Sequence, residues 1–390
     1  MGYFLNCLGI INPLGKTSTE VAYNLFQPSL LGMQERMDLI KGQSVIVGEV
    51  SSSLPLISEE FERFNSRNNR MMLAALMQIE AQIKKAIKRY GKDRVAVVLG
   101  SSTTGISDNE DQIMLKSKLG SFGESFEYEK QEPSSISEFV RAYYGLDGIA
   151  LTISTACTSS VKALSTARRY LATGLCDAVI VGGADTLCQL TLNGFKALEA
   201  LSNGLCHPLS ETRDGINIGE GAAAFLLTRE MVGAELLGIG ETSDAYHVSA
   251  PDPEGTGAAN AMSFALKDAD IKVKDICYIN VHGTGTHLND AMEVKAIRSV
   301  FSENIPYVSS TKQLTGHMLG AAGINEIAFL YLAFQHNKLP QHYCGENFAE
   351  MAKDIRLVSS KAEASSNYMM SNSFAFGGNN VSVILGRGSL

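Results

Sequence analysis

Cys157 lies in Leu151-Thr-Ile-Ser-Thr-Ala-Cys-Thr-Ser-Ser160, where an apolar run breaks into small residues and then into the helical pattern Val161-Lys-Ala-Leu-Ser-Thr-Ala-Arg168. A sulfur at that junction meets the free N–H groups and the positive end of a helix, which favour thiolate over thiol and make a nucleophile. An isolated cysteine before a helix is more often a small buried hydrophobe, so its partners decide the matter. Two further segments supply them: Tyr278-Ile-Asn-Val-His282-Gly-Thr-Gly-Thr286 and Val308-Ser-Ser-Thr-Lys312-Gln-Leu-Thr-Gly-His317. Each is a short apolar strand pattern running into a Gly/Thr-rich turn that carries an imidazole. Three strand-to-turn junctions thus present three reactive groups.

The elements that must hold these groups alternate between strand-like and helix-like patterns, which predicts a layered α/β architecture. The two halves of the chain also echo one another. Val95-Ala-Val-Val-Leu-Gly-Ser-Ser-Thr-Thr-Gly105 resembles Ile276-Cys-Tyr-Ile-Asn-Val-His-Gly-Thr-Gly-Thr286, and the strand and helix around Cys157 correspond to Tyr307-Val-Ser-Ser310 and the helix after Gly320. Ile218-Gly-Glu-Gly-Ala-Ala-Ala-Phe-Leu-Leu227 parallels Phe376-Gly-Gly-Asn-Asn-Val-Ser-Val-Ile-Leu385. Two copies of one unit, residues 1–230 and 231–390, would set equivalent turns face to face, with the site at their seam. Cys157 then comes from the first copy and both imidazoles from the second. Ser107–Gln131, polar and without a clear core face, reads as an excursion that forms dimer surface, covers a pocket or is plain exposed loop.

At 390 residues and 45% hydrophobic content the chain can bury one large core or two fused ones. A formal charge of −8 and a pI near 5.5 argue against nucleic acid or an anionic membrane as main partner. No apolar window reaches the roughly eighteen residues of a membrane span, and Met1-Gly-Tyr-Phe-Leu-Asn6 lacks a basic leader, so a cytoplasmic protein is expected. Seven cysteines without a C-x-x-C pair or an HExxH indicate neither a disulfide framework nor a metal site. Two motif look-alikes are set aside. Gly9-Ile-Ile-Asn-Pro-Leu-Gly15-Lys16-Thr17 has five residues where a phosphate loop has four, and Pro13 removes a donor from the cradle. Gly219-Glu-Gly221-Ala-Ala-Ala224 leads into a strand-like run where a dinucleotide fingerprint needs a helix.

Read together, four segments resemble the elongating β-ketoacyl-acyl carrier protein synthases of the thiolase-fold superfamily, and the resemblance covers nearly the whole chain. They are Thr155-Ala-Cys157-Thr-Ser, His282-Gly-Thr-Gly-Thr286, Ser310-Thr-Lys312-Gln-Leu-Thr-Gly-His317-Met-Leu-Gly-Ala-Ala-Gly323 and Asn372-Ser-Phe-Ala-Phe376-Gly-Gly378; Ser243-Asp-Ala-Tyr-His247 is a fifth. The resemblance implies a thiolase-like fold of two duplicated α/β halves in an αβαβα arrangement. It further implies that Cys157 takes an acyl group from carrier protein, with the N–H groups of Cys157 and Phe376 holding the oxyanion. His282 and His317 would then stabilise the enolate formed as malonyl-carrier protein loses CO₂. Lys312 would supply a fixed positive charge, paired with Glu293. Thr284, Thr286 and Ser249 would bind the pantetheine arm, Phe374 would support the site and Phe376 would gate it. Phosphopantetheine arrives on the carrier protein, so no resident cofactor or metal is expected. His247 reads as structural near the entrance. No role falls to His207, His287, His336 or His342, and Cys176, Cys188, Cys206, Cys277 and Cys344 read as packing residues.

A degradative thiolase needs a second cysteine in the C-terminal glycine turn, and Phe376-Gly-Gly-Asn-Asn380 has none. Chain-initiating synthases carry asparagine where this chain has His317, and an inactive chain-length partner would lack Cys157. Four departures from the housekeeping pattern suggest a different acyl cargo or a stiffer gate: Ala375 before the gate, Asn379 after it, Ser160 after the nucleophile and Thr103 at the acyl pocket. A synthase dedicated to a polyene, aryl-polyene or polyketide-like pathway is therefore expected, with ordinary fatty acid elongation as the alternative. Acyl carrier protein is acidic, so Lys116, Lys118, Arg67, Arg70 and Lys130 are candidates for its docking patch. Members of this fold work as dimers, and both a homodimer and a heterodimer with a chain-length-factor-like relative remain open.

Overall fold

The computed structural model describes residues 2–123, 126–343, 347–360, 362, 366–374 and 376–390. The first part of the chain runs β1 (Phe4–Ile11), α1 (Ser18–Phe26), a hairpin of β2 (Met33–Ile40) and β3 (Gln43–Gly48), α2 (Arg67–Met77), α3 (Glu80–Tyr90), β4 (Val95–Gly100), α4 (Ile106–Leu119), α5 (Ser135–Tyr143), β5 (Ala150–Ile153), α6 (Ser159–Ala172), β6 (Ala178–Asp185), α7 (Gln189–Ala197) and β7 (Gly221–Thr228). The second runs β8 (Gly233–Ser243), α8 (Thr256–Ala269), β9 (Ile276–Asn280), α9 (His287–Phe301), β10 (Tyr307–Ser309), α10 (Lys312–Thr315), α11 (Ala322–His336), β11 (Arg356–Leu357), β12 (Tyr368–Phe374) and β13 (Asn379–Ser389).

Eleven strands pair in the order β11-β10-β9-β12-β13-β8-β1-β7-β6-β4-β5. Read outward from the β1–β8 seam, both halves repeat one plan. Antiparallel strands lie inside, and β4, β5 and β6 on one side match β9, β10 and β12 on the other as parallel strands. The seam itself is narrow, Phe4 opposite Glu235 and Leu5 opposite Ala234.

Every residue of β4 is buried, because the strand has helices on both faces. Val95, Val97 and Leu99 point into an outer core with α2, α3 and α5, while Ala96 and Val98 point inward to α6 and α11. α8 and α9 cover the outer face of the second half. The layers are therefore α, β, α, β, α, with α6 and α11 in the middle. A helix in that position has no polar face: Ala322–Phe334 is buried throughout, including Asn325 and Glu326.

The expected excursion contains the fourteen-residue helix α4, in which Asn109 alone is buried. At the carboxyl ends of the parallel strands, β4, β5, β6, β9, β10 and β12 all release their turns toward one region, which is where ligands bind in sheets of this kind.

Candidate active site

The nucleophile turn is built tightly. Ala156 has φ 52°, a left-handed value that a non-glycine residue adopts only when its surroundings hold it there. Ser159 Oγ donates to Ala156 O at 2.6 Å and accepts from Thr155 N, while Thr158 Oγ1 donates to Thr155 O. The start of α6 lies against Gly100, where a Cβ would meet Ser160 N at 2.3 Å, so only glycine lets helix and strand approach this closely. This turn delivers Cys157, 6% exposed, to the floor of a cavity of about 310 Å³.

His282 follows β9. Glu293, on α9, accepts the N–H groups of His282 (2.9 Å) and Gly283 (2.8 Å) as well as Asn372 Nδ2 (3.2 Å). His317 follows α10, its N–H donating to Asn217 O at 2.7 Å. Its Nδ1 accepts Leu319 N–H at 3.1 Å, which leaves the proton of the neutral ring on Nε2. His282 Nδ1 has no hydrogen-bond partner among the described residues. The two rings cross at 84° with centroids 5.2 Å apart, and the Cys157 sulfur and a nitrogen of each ring all lie within 4.8 Å of one another. The three groups singled out from sequence therefore meet at one point.

Burial and charge together explain their protonation. Burial, with Lys312 and His317 adding to it, holds His282 well below the usual imidazole range, and burial with Lys312 does the same to His317. Both are neutral N–H groups at neutral pH. The expected thiolate is not found. Burial pushes the Cys157 thiol up to about 11, although Lys312 and the N–H groups of Phe376 and Cys157 itself pull the other way. Desolvation of the sulfur outweighs the helix N-terminus. Lys312 is as buried as its partner, 2% exposed, and that partner is Glu326 at 2.5 Å, not Glu293. The carboxyl of Glu293, raised to about 7 by burial against its N–H and amide donors, instead shapes the His282 turn.

Thr284, Thr286, Ser249, Phe374 and Phe376 line the same cavity, with the two threonine hydroxyls 3.0 Å apart. His282 and Phe374 rings lie 6.4 Å apart. Phe376 stacks on Phe195 of α7 at 5.5 Å, a contact that no pattern in the sequence indicated. His247 accepts the N–H groups of Ser249 and Ala250 at the cavity wall, a structural task.

Thr103, offered as acyl-pocket lining, does not line this cavity, and neither do Ser160 and Asn379. Thr103 is fully buried, its hydroxyl donating to Asp185, and Ser160 Oγ accepts Ile324 N–H. Asn379 accepts from Lys162 at 2.7 Å. Ala375 and Cys344 lie outside the described residues. Of the five basic candidates for a docking patch, Arg67 holds the buried Glu220 and Lys130 pairs with Glu127. Arg70 bonds Asn65, Lys116 sits over the Phe122 ring, and Lys118 is exposed.

The residues missed had signals. Glu326 is a lone acid in an apolar helix, where only a buried cation makes it tolerable. Asn372, within a motif already quoted, holds Glu293.

The comparisons fit this geometry. Residues 41–232 match the model of the β-ketoacyl synthase N-terminal domain, and residues 233–345 match that of the β-ketoacyl synthase C-terminal domain. The chain belongs to the β-ketoacyl synthase family, with a thiolase-like fold. It is 32% identical over 414 residues to 3-oxoacyl-[acyl-carrier-protein] synthase 2 of Coxiella burnetii and 30% identical over 401 residues to 3-oxoacyl-[acyl-carrier-protein] synthase 1 of Buchnera aphidicola, covering 97% of both chains in each case. A ketosynthase from Xenorhabdus doucetiae, solved in complex with its chain length factor, is 43% identical with a TM-score of 0.94, over 99% of this chain and 98% of that one. Among the described residues no helix is long and apolar enough to cross a membrane.

Proposed function

We propose that the chain joins an acyl group held on Cys157 to a two-carbon unit from malonyl-acyl carrier protein, giving 3-oxoacyl-acyl carrier protein, in a polyene, aryl-polyene or polyketide-like pathway. The observation that carries this reading is the Cys157–His282–His317 cluster at the foot of a mostly apolar cavity. The Cys157 sulfur attacks the incoming thioester, the N–H groups of Cys157 and Phe376 hold the oxyanion, and the carrier thiol leaves with the proton. Malonyl thioester then enters. Two neutral N–H donors facing its carbonyl oxygen stabilise the enolate formed as CO₂ departs, and the carbanion displaces the Cys157 sulfur from the acyl carbon as a thiolate, which takes up a proton from solvent to restore the thiol. Burial, with Lys312 locked by Glu326 adding to it, keeps both imidazoles neutral. Thr284, Thr286 and Ser249 receive the pantetheine arm that the carrier protein brings, and the reaction uses no resident cofactor.

In this reading residues 1–230 supply the nucleophile and residues 231–390 the donors. The enzyme acts in the cytoplasm with acyl carrier protein, as a dimer whose second subunit is an identical chain or a chain-length-factor-like relative. The likeness to the Xenorhabdus doucetiae ketosynthase supports the specialised pathway and the heterodimer. The names of the Coxiella and Buchnera relatives support a second reading, housekeeping fatty acid elongation by the same chemistry. Turnover with saturated against polyunsaturated or aryl-primed acyl-carrier proteins separates the two: preference for the unsaturated chains is expected, and equal or better use of saturated chains favours elongation of ordinary fatty acids.

A further inference from the structure

Asp185, the last residue of β6, is fully buried and touches both halves of the molecule. Its Oδ1 accepts Ser102 N–H and Thr103 N–H at 2.7 Å, the Thr103 hydroxyl at 2.7 Å and the Ser101 hydroxyl at 3.1 Å. Both hydroxyls already accept an N–H, from Thr186 and Thr104 respectively, so their protons are committed to the carboxylate. Oδ2 accepts one bond, from Ala321 N–H at 2.9 Å. Among the described residues five donors and no carbonyl or carboxylate oxygen face this group, an arrangement that favours the carboxylate against the burial that pushes its pKa up.

The Oδ2 contact reaches the His317 turn. Between His317 and Ala321 the chain passes through Leu319, whose φ of 48° is costly for a leucine and persists only where neighbours hold it. That conformation directs the chain after Leu319, Gly320 and Ala321, onto Asp185, while Leu319 N–H itself caps His317 Nδ1. Gly320 sits where a Cβ would meet Ser102 Oγ at 2.6 Å and Asp185 Oδ2 at 2.8 Å, so the turn is pressed directly on the carboxylate.

We propose that Asp185 is a positioning residue for the condensation step, acting through Ala321 N–H to hold the turn that fixes the His317 tautomer and aims its Nε2–H. The inference rests on the condensation reading above and adds a residue to it. Acyl loading, which uses Cys157 and its oxyanion donors, does not need this contact.

The two oxygens make the test selective. In Asp185→Asn the amide oxygen takes the place that faces four donors, and the NH₂ is left pointing at Ala321 N–H, donor against donor. The variant should load acyl groups on Cys157, read by intact mass, within about 3-fold of the parent, while condensation falls about 10²-fold, the cost of a misplaced catalytic group. In ¹⁵N-histidine-labelled protein the parent should show His317 as the Nε2–H tautomer and the variant a mixture. Ser101→Ala removes one donor from Oδ1 and the acceptor of Thr104 N–H but leaves the Oδ2–Ala321 contact in place, and should leave both half-reactions near parental rates. Loading and condensation lost in parallel, an unchanged His317 signal, or equal damage from Ser101→Ala would overturn the proposal. A parental chain that loads acyl groups on Cys157 but releases no CO₂ would instead defeat the condensation reading, and the tautomer spectrum would still decide the role of Asp185.

Discussion

Residues 153–159 and residues 309–321 both carry the chain from the end of a parallel strand to a helix of the middle layer, one ending in α6 and the other in α11. Around Cys157 the first turn is made of small uncharged residues that bond each other, the backbone and the Ser102 hydroxyl. The second contains the buried Lys312, matched by Glu326 from α11 itself, and ends on Asp185 from the opposite half. Desolvation dominates the sulfur and keeps it a thiol. On the histidines desolvation acts together with a fixed charge, and both keep them neutral. One turn thus offers a group that becomes reactive only when substrate arrives, and the other offers donors that need no rearrangement when charge develops.

The sharpest way to break this comparison is to separate the half-reactions. Cys157→Ala should abolish acyl loading altogether. His282→Ala and His317→Ala should each load at near-parental rates yet lose about 10²–10³-fold in condensation, the usual cost of removing one oxyanion donor from a dry site. Intact mass and product chromatography read the two steps independently. A histidine variant that failed to load would mean that the imidazoles serve the sulfur and that the two turns are not functionally distinct.

A second test bears on the charge. Lys312→Met leaves Glu326 buried without its cation and should cost about 3–5 kcal/mol of stability in chemical denaturation, whereas Lys312→Met with Glu326→Leu should recover most of that loss. The double variant should still condense slowly. If it recovers activity along with stability, the buried pair is only a packing element and the histidines owe their protonation to burial alone.

These two turns also differ in how far they could be read from sequence. The duplicated strand-to-turn patterns at Val95–Gly105 and Ile276–Thr286 were legible because strands buried on both faces leave continuous apolar runs and glycine marks where they end. The meeting of Cys157, His282 and His317 followed from that symmetry. What could not be read was pairing between segments far apart. Glu293 and Glu326 are both buried acids on helices that follow the histidine turns; the apolar helix around Glu326 signals that it needs a buried cation, but nothing local names Lys312 as that cation. Thr103 reads as a pocket residue by position, and Ser160 and Asn379 as departures beside the nucleophile and the gate, but their side chains are spent on Asp185, Ile324 and Lys162. The protonation state of Cys157 failed for the same reason: a helix N-terminus is visible in sequence, and the depth of the sulfur beneath the surface is not.

That last point gives the smallest and most direct measurement. An ordinary cysteine has a pKa of about 8.5, so its alkylation by iodoacetamide levels off above roughly pH 9. With the thiol of Cys157 pushed up to about 11, its thiolate fraction, and hence its alkylation rate, should keep climbing about tenfold per pH unit from roughly pH 7 to 10. Lys312 pulls that pKa down by more than Glu326 raises it, so the Lys312→Met, Glu326→Leu double variant should shift the curve toward higher pH. A rate that levels off below about pH 8 in the parental chain would mean that the helix end and the N–H groups of Cys157 and Phe376 prevail over burial. The sulfur would then be charged before any substrate binds, and the two turns would be prepared for chemistry in the same way after all.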